Sequence, residues 1–158
     1  QDQCAALPGA KRWSLSHIRA VIALSAPFDI AEHYEFEQRR AVHLLSGMWG
    51  AAGGHPDAHS AVTLVRSLRR FSTNPQNNLP RIHVLHATSD TTVPEYESQH
   101  FVESAVDAGI HINSSVFSIK GTHFSIVENL MWGPPGAPRP TLDFLRHVIE
   151  DDICAQRG

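Results

Sequence analysis

The sequence predicts an α/β domain with a parallel sheet, and three observations predict it. Short apolar runs rich in β-branched residues alternate with amphipathic helical patterns. The first run, Ala20–Leu24, is apolar on both faces, as a strand covered on both sides should be. The polar residues best suited to chemistry follow directly on the second and third runs, where loops at the carboxyl ends of parallel strands collect function.

Taken in order, Ala20–Leu24 with Val21 and Ile22 is a buried strand closed by Pro27. Helical spacing follows in Glu37–Leu45 and Ser60–Arg70, with a loop between them built on Gly47, Gly50, Gly53 and Gly54. Asn74–Pro80 reads as a linker, and Arg81–Ala87 as the second strand. Glu95–Ala108 is an amphipathic helix with Phe101, Val102, Ala105 and Val106 on one face. Pro94 stands where helix starts tolerate proline, and Gly109 where a helix C-terminus favours glycine. Ser114–Ile119 is the third strand, Gly121–His123 turns into a short helix ending near Leu130, and residues 133–140 form a rigid connector. Thr141–Asp151 is a last helix, with Leu142, Leu145, Val148 and Ile149 on one side.

Composition excludes several classes. The chain has 158 residues, 13 Lys and Arg against 16 Asp and Glu, and a net charge of -3. That length carries one core, and the balance is that of a globular chain. A nucleic-acid binder usually shows a basic surplus, so no nucleic-acid partner is expected. No apolar run approaches the ~20 residues of a membrane-spanning helix, and the first residues lack the apolar stretch of a signal peptide. Cys4 and Cys154 lie too far apart in sequence for a paired metal motif. Among the 11 histidines, His55 and His59 flank a turn, and His83 and His86 would point to opposite faces of a strand. No metal and no cofactor are therefore expected. The chain begins with Gln1, so it is expected to be a piece of a longer polypeptide.

Two loops carry the chemistry. The second strand runs into His86-Ala87-Thr88-Ser89-Asp90-Thr91-Thr92-Val93-Pro94, and the third into Lys120-Gly121-Thr122-His123-Phe124. A carboxylate that holds an imidazole in one tautomer is two thirds of a Ser-His-Asp triad. Asp90 before His123 also obeys the α/β-hydrolase chain order of Ser, then acid, then base. Taken singly, Asp90 could be a turn or helix cap and His123 an ordinary histidine; the joint pattern is what points to a dyad. A nucleophile is harder to find. Ser25 lies at a strand end, but Pro27 bars the tight strand-to-helix elbow a nucleophile needs. Ser46 and Ser104 lack small residues on both sides.

The two loops resemble the C-terminal half of α/β-hydrolase esterases, which carry the acid in a His-Gly-Thr-x-Asp-x-x-Val-Pro loop and the base in a Gly-x-His or Gly-x-x-His loop. Here Ala87 stands in place of the usual glycine. Within that superfamily the sequence is similar to isoprenylcysteine α-carbonyl methylesterases. The similarity runs through Trp13–Ala20, Leu24–Ile30, Glu32-His33-Tyr34 and Arg39-Arg40, with Ala26-Pro27-Phe28 replacing a glycine-rich version. The resemblance implies Asp90 as triad acid and His123 as general base. It implies the C-terminal part of an α/β-hydrolase fold over residues 1–158, incomplete without upstream strands, with the nucleophilic serine and oxyanion loop preceding this sequence. It makes residues 31–80 a helical cap insert. Met48 and Trp49, with Met131 and Trp132, would line an apolar pocket for a small ester such as a prenylcysteine methyl ester, while Leu44 and Leu45 look like core. Arylformamide or short-acyl ester hydrolysis is the alternative activity, and a catalytically dead remnant or binding module the alternative class. An unpaired first strand would invite self-association through its edge. Relatives of the resembled group sit in endoplasmic reticulum or Golgi membranes through upstream segments; without one, a cytoplasmic location would follow.

Overall fold

A computed structural model of the chain describes residues 14, 17–71, 79–110, 112, 116–132 and 136–150. Cys4, Trp13, Ser114, Cys154 and most of the 74–80 linker lie outside these residues. The architecture is mixed α/β. Strands β1 (Ala20–Leu24), β2 (Arg81–Ala87) and β3 (Phe117–Ile119) form a three-stranded sheet in the order β1-β2-β3. Both pairings are parallel, with Leu24 beside Leu85 and Ala87 beside Ile119.

Between β1 and β2 run helices α1 (Ile30–Arg39), α2 (Met48–Ala51), α3 (Pro56–His59) and α4 (Ala61–Phe71). Helix α5 (Glu95–Asp107) joins β2 to β3, and α6 (His123–Met131) and α7 (Pro140–His147) follow. The alternation of β2 side chains divides the core in two. Val84 faces a cluster of Phe28, Val62, Val65, Phe101, Val102 and Ala105 under α4 and α5. Leu85 and Ala87 face Ile119, Ile126, Phe144 and Val148 under α6 and α7. Helices therefore cover both faces, which is why the strands lack a polar side. Phe28 and Phe101 stack with centroids 4.0 Å apart and planes 4° apart, joining the end of β1 to α5.

The elements between β1 and β2 differ most from expectation. The Glu37–Leu45 helix is not formed as such; α1 starts earlier and stops at Arg39. Asp29 caps it, its Oδ1 accepting from the amides of Ala31 and Glu32. A hydrophobic count misses that start because the cap is polar. Ala41, at φ 57°, ends the helix by turning left-handed, and His43–Leu45 form a separate 3-10 turn. Leu44 and Leu45 are 85% and 88% exposed, so neither is core. The glycine-rich loop contains α2 and α3. Helix α4 buries Val62 and Val65 beneath the sheet and so belongs to a covering layer of the domain. Val106 and Ile149 are exposed, contrary to their assigned apolar faces; Ala108 and Phe144 are buried instead. Among the described residues, no helix is long and apolar enough to cross a membrane.

Candidate active site

The fold brings Asp90 and His123 together. The turn after β2 is pinned to the β3–α6 loop, with the amide of Thr88 donating to Ile119 O at 2.8 Å and that of Ser89 to Gly121 O at 2.9 Å. Parallel pairing thus sets the two strand-end loops side by side. His123 is the first residue of α6, where Thr122 and Ser125 form a reciprocal capping box. Gly121 precedes it at φ 152°, and a Cβ there would run into the Ser125 hydroxyl. Gly121 and Thr122 are therefore set by this turn as well as by the motif.

The Asp90 carboxylate is fully engaged. Oδ1 accepts from the amides of Thr92 at 2.8 Å and Val93 at 2.9 Å. Oδ2 lies 2.8 Å from His123 Nδ1, with the Asp90 side chain fully buried and that of His123 29% exposed. Burial alone would push the Asp90 carboxyl up. The Val93 amide, His123, the Thr92 amide and the Ser25 hydroxyl outweigh burial and hold it below its ordinary value. An ionised carboxylate only accepts, so Nδ1 of a neutral His123 donates and Nε2 presents a lone pair. Among the described residues, none forms a hydrogen bond with that Nε2. The pair can therefore take a proton from a group placed before Nε2 and stabilise the resulting imidazolium.

Exposed apolar side chains lie along α6 from its first turn to its end. Phe124 packs edge-on against the His123 ring at 5.5 Å and is itself 68% exposed. Met131 and Trp132 extend that exposed surface at the far end of α6. Met48 and Trp49 sit on α2, with the Trp49 ring 4.5 Å from Tyr34 of α1. Among the described residues, no ring contact joins Trp49 to Trp132, and the two pairs belong to different elements.

Two residues near Asp90 escaped sequence reasoning as site residues. Ser25 is buried, and its Oγ accepts from the Ala87 amide at 3.2 Å. His86 is fully buried between Ser98 and the Val93 carbonyl. Their spacing from Asp90 in sequence carries no signal for Ser25; for His86 the only cue is its position in the strand-end motif. No group of three or more metal-ligating side chains that could hold an ion occurs among the described residues. No family model, no curated protein and no solved structure matches the chain.

Proposed function

We propose that Asp90 and His123 are the acid and general base of a carboxylic-ester hydrolase of the α/β-hydrolase type, and that the three strands are the C-terminal part of its sheet. The carrying observation is the 2.8 Å contact from His123 Nδ1 to a buried, ionised Asp90, with Nε2 left to meet a nucleophile. On this reading residues outside this sequence supply the serine and the oxyanion donors, since Ser25 Oγ is buried against the Ala87 amide. The exposed Phe124 beside His123, with exposed Met131 and Trp132 at the far end of α6, offers apolar surface that suits the lipid-like thioether of a prenylcysteine methyl ester. The sheet edge of β1, which pairs with β2 alone among the described residues, is where a further strand would join.

The reaction follows triad logic. His123 Nε2 takes the serine proton as the hydroxyl attacks the ester carbonyl, then returns it to the leaving alcohol. Asp90 keeps the imidazole oriented and stabilises its charged form. In the longer polypeptide carrying this sequence, Asp90→Asn and His123→Ala are expected to cut ester hydrolysis by roughly 10⁴-fold. Turnover near wild type in either variant sinks the assignment. A native polypeptide of only 17.4 kDa would leave the dyad without a nucleophilic serine on a strand-to-helix elbow and favour a binding role. Comparing prenylcysteine methyl esters with short acyl esters and arylformamides tests the substrate class.

A further inference from the structure

Building on the hydrolase reading, we propose that Ser25 and His86 are positioning residues that lock the Asp90 carboxylate, and the loop that carries it, toward His123. Ser25 follows β1 at φ 43°, a left-handed backbone that side-chain-bearing residues rarely adopt. Such outliers persist where the surroundings over-determine them. Here they do: the Ser25 amide donates to Leu85 O at 2.8 Å, and its Oγ accepts from the Ala87 amide at 3.2 Å. Ala87 in turn accepts from the Asp90 amide through its carbonyl at 3.1 Å, so Ser25 anchors the base of the loop that carries the acid. The strained residue just after β1 thus serves the loop that carries the acid.

His86 holds the same loop from the other side. Its Nε2 lies 2.9 Å from Val93 O, and a carbonyl only accepts, so Nε2 carries the proton. Nδ1 is then the acceptor for the Ser98 hydroxyl, 2.7 Å away on α5. Both ring nitrogens are satisfied in the neutral form, with no exposure. Ser98, His86 and Val93 form one line of hydrogen bonds, and the Val93 amide returns to Asp90 Oδ1 at 2.9 Å. The two amides on Oδ1 can reach it only while this loop stays closed.

The test needs no nucleophile and can use this chain. In Ser25→Gly and Ser25→Ala, the Asp90 carboxyl followed by carbon-13 NMR is expected to titrate at higher pH, toward its ordinary 3.8. Glycine accepts the left-handed backbone, so a shift shared by both variants belongs to the hydroxyl and not to relieved strain. In Ser98→Ala, which frees His86 without removing it, the Thr92 and Val93 amides are expected to exchange about tenfold faster, the loss of one hydrogen bond. An unmoved Asp90 titration in a folded Ser25→Gly chain overturns the role of Ser25. Unchanged exchange in Ser98→Ala overturns that of His86. In the longer polypeptide, Ser25→Gly should lower kcat and leave KM unchanged. Undiminished hydrolysis in Asp90→Asn would remove the hydrolase reading while the titration result stood, so the two failures are distinct.

Discussion

Asp90–His123 and Glu97–His33 join the same two functional groups at 2.8 and 2.9 Å, yet among the described residues only the first leaves a ring nitrogen without a carboxylate partner. The difference lies in what the second nitrogen of each imidazole meets. His123 gives Nδ1 to Asp90, and its partly exposed ring keeps Nε2 available. His33, 2% exposed on α1, gives Nδ1 to Glu97 of α5 and has Nε2 3.4 Å from Glu37. An imidazole with a carboxylate on each nitrogen has no lone pair to offer while both bridges hold. Asp90 is also saturated with donors, whereas Oε2 of Glu97 has no hydrogen-bond partner among the described residues. Burial accordingly wins at Glu97 and holds its carboxyl above the ordinary value, despite His33. One pair is an open site on a buried carboxylate held by backbone amides; the other is a closed clamp between two helices.

The largest expected effect tests that clamp. Removing one partner of a buried ion pair strands the other, so Glu97→Ala is expected to destabilise the chain by about 3–5 kcal/mol in denaturant unfolding. Replacing both, as in His33→Leu with Glu97→Leu, should recover most of that loss, because apolar residues of similar volume carry no desolvation penalty. A double variant no more stable than Glu97→Ala would break the comparison, since burial of charge would then not be what the pair resolves.

The two pairs should also respond to pH with opposite signs. Asp90 is held below its ordinary 3.8, so its stabilisation is present above that value and is lost as pH falls through its folded value. His33 would be lowered by burial, but Glu97 and Glu37 raise it above 6.5; Glu97 itself is raised above 4.5 by burial. Groups raised in the folded state stabilise it at low pH and lose that contribution as pH rises through their folded values. Unfolding free energies are thus expected to contain a component that declines with rising pH above about 4.5. The His33→Leu, Glu97→Leu variant should lose that component and keep the acid-side fall due to Asp90. A slope unchanged in the double variant would place the titration elsewhere.

The contrast also explains what could be read in advance. Strands β1 and β2 and helix α5 were legible because each has one dominant period and a clear stop, Pro27, the Ser89–Asp90 turn and Gly109. Asp90 and His123 were legible because parallel strands deliver consecutive carboxyl ends to one edge, so motif order implied proximity. The clamp was not: Glu97 and His33 look like surface residues in their helices, and only tertiary packing of α1 on α5 buries them. Ser25 reads as a poor nucleophile because of Pro27, and its hydrogen bond to the Ala87 amide crosses 62 positions of sequence, which no local pattern announces. Leu44 and Leu45 failed as core because their helix ends at Arg39, on a left-handed Ala41 that no hydrophobic pattern announces.

The smallest effect separates the two helices that carry the histidines. His33 lies in the first turns of α1 behind the Asp29 cap, and His123 is the first residue of α6 behind the Thr122 cap. Asp29→Ala and Thr122→Ala should each cost about 1 kcal/mol of stability, because each frees N-terminal amides that a side chain now satisfies. Their consequences for the histidines should differ. His33 is held at both nitrogens by neighbouring carboxylates, so its ring should stay in place in Asp29→Ala. His123 is held at Nδ1 alone, and its backbone is aimed by the Thr122–Ser125 box and Gly121. Thr122→Ala should therefore loosen the His123 ring, seen as faster exchange of its Nδ1 proton by NMR, while the His33 ring protons are unaffected by either substitution. Equal loosening of both rings would mean that caps, rather than second partners, decide how firmly each imidazole is held.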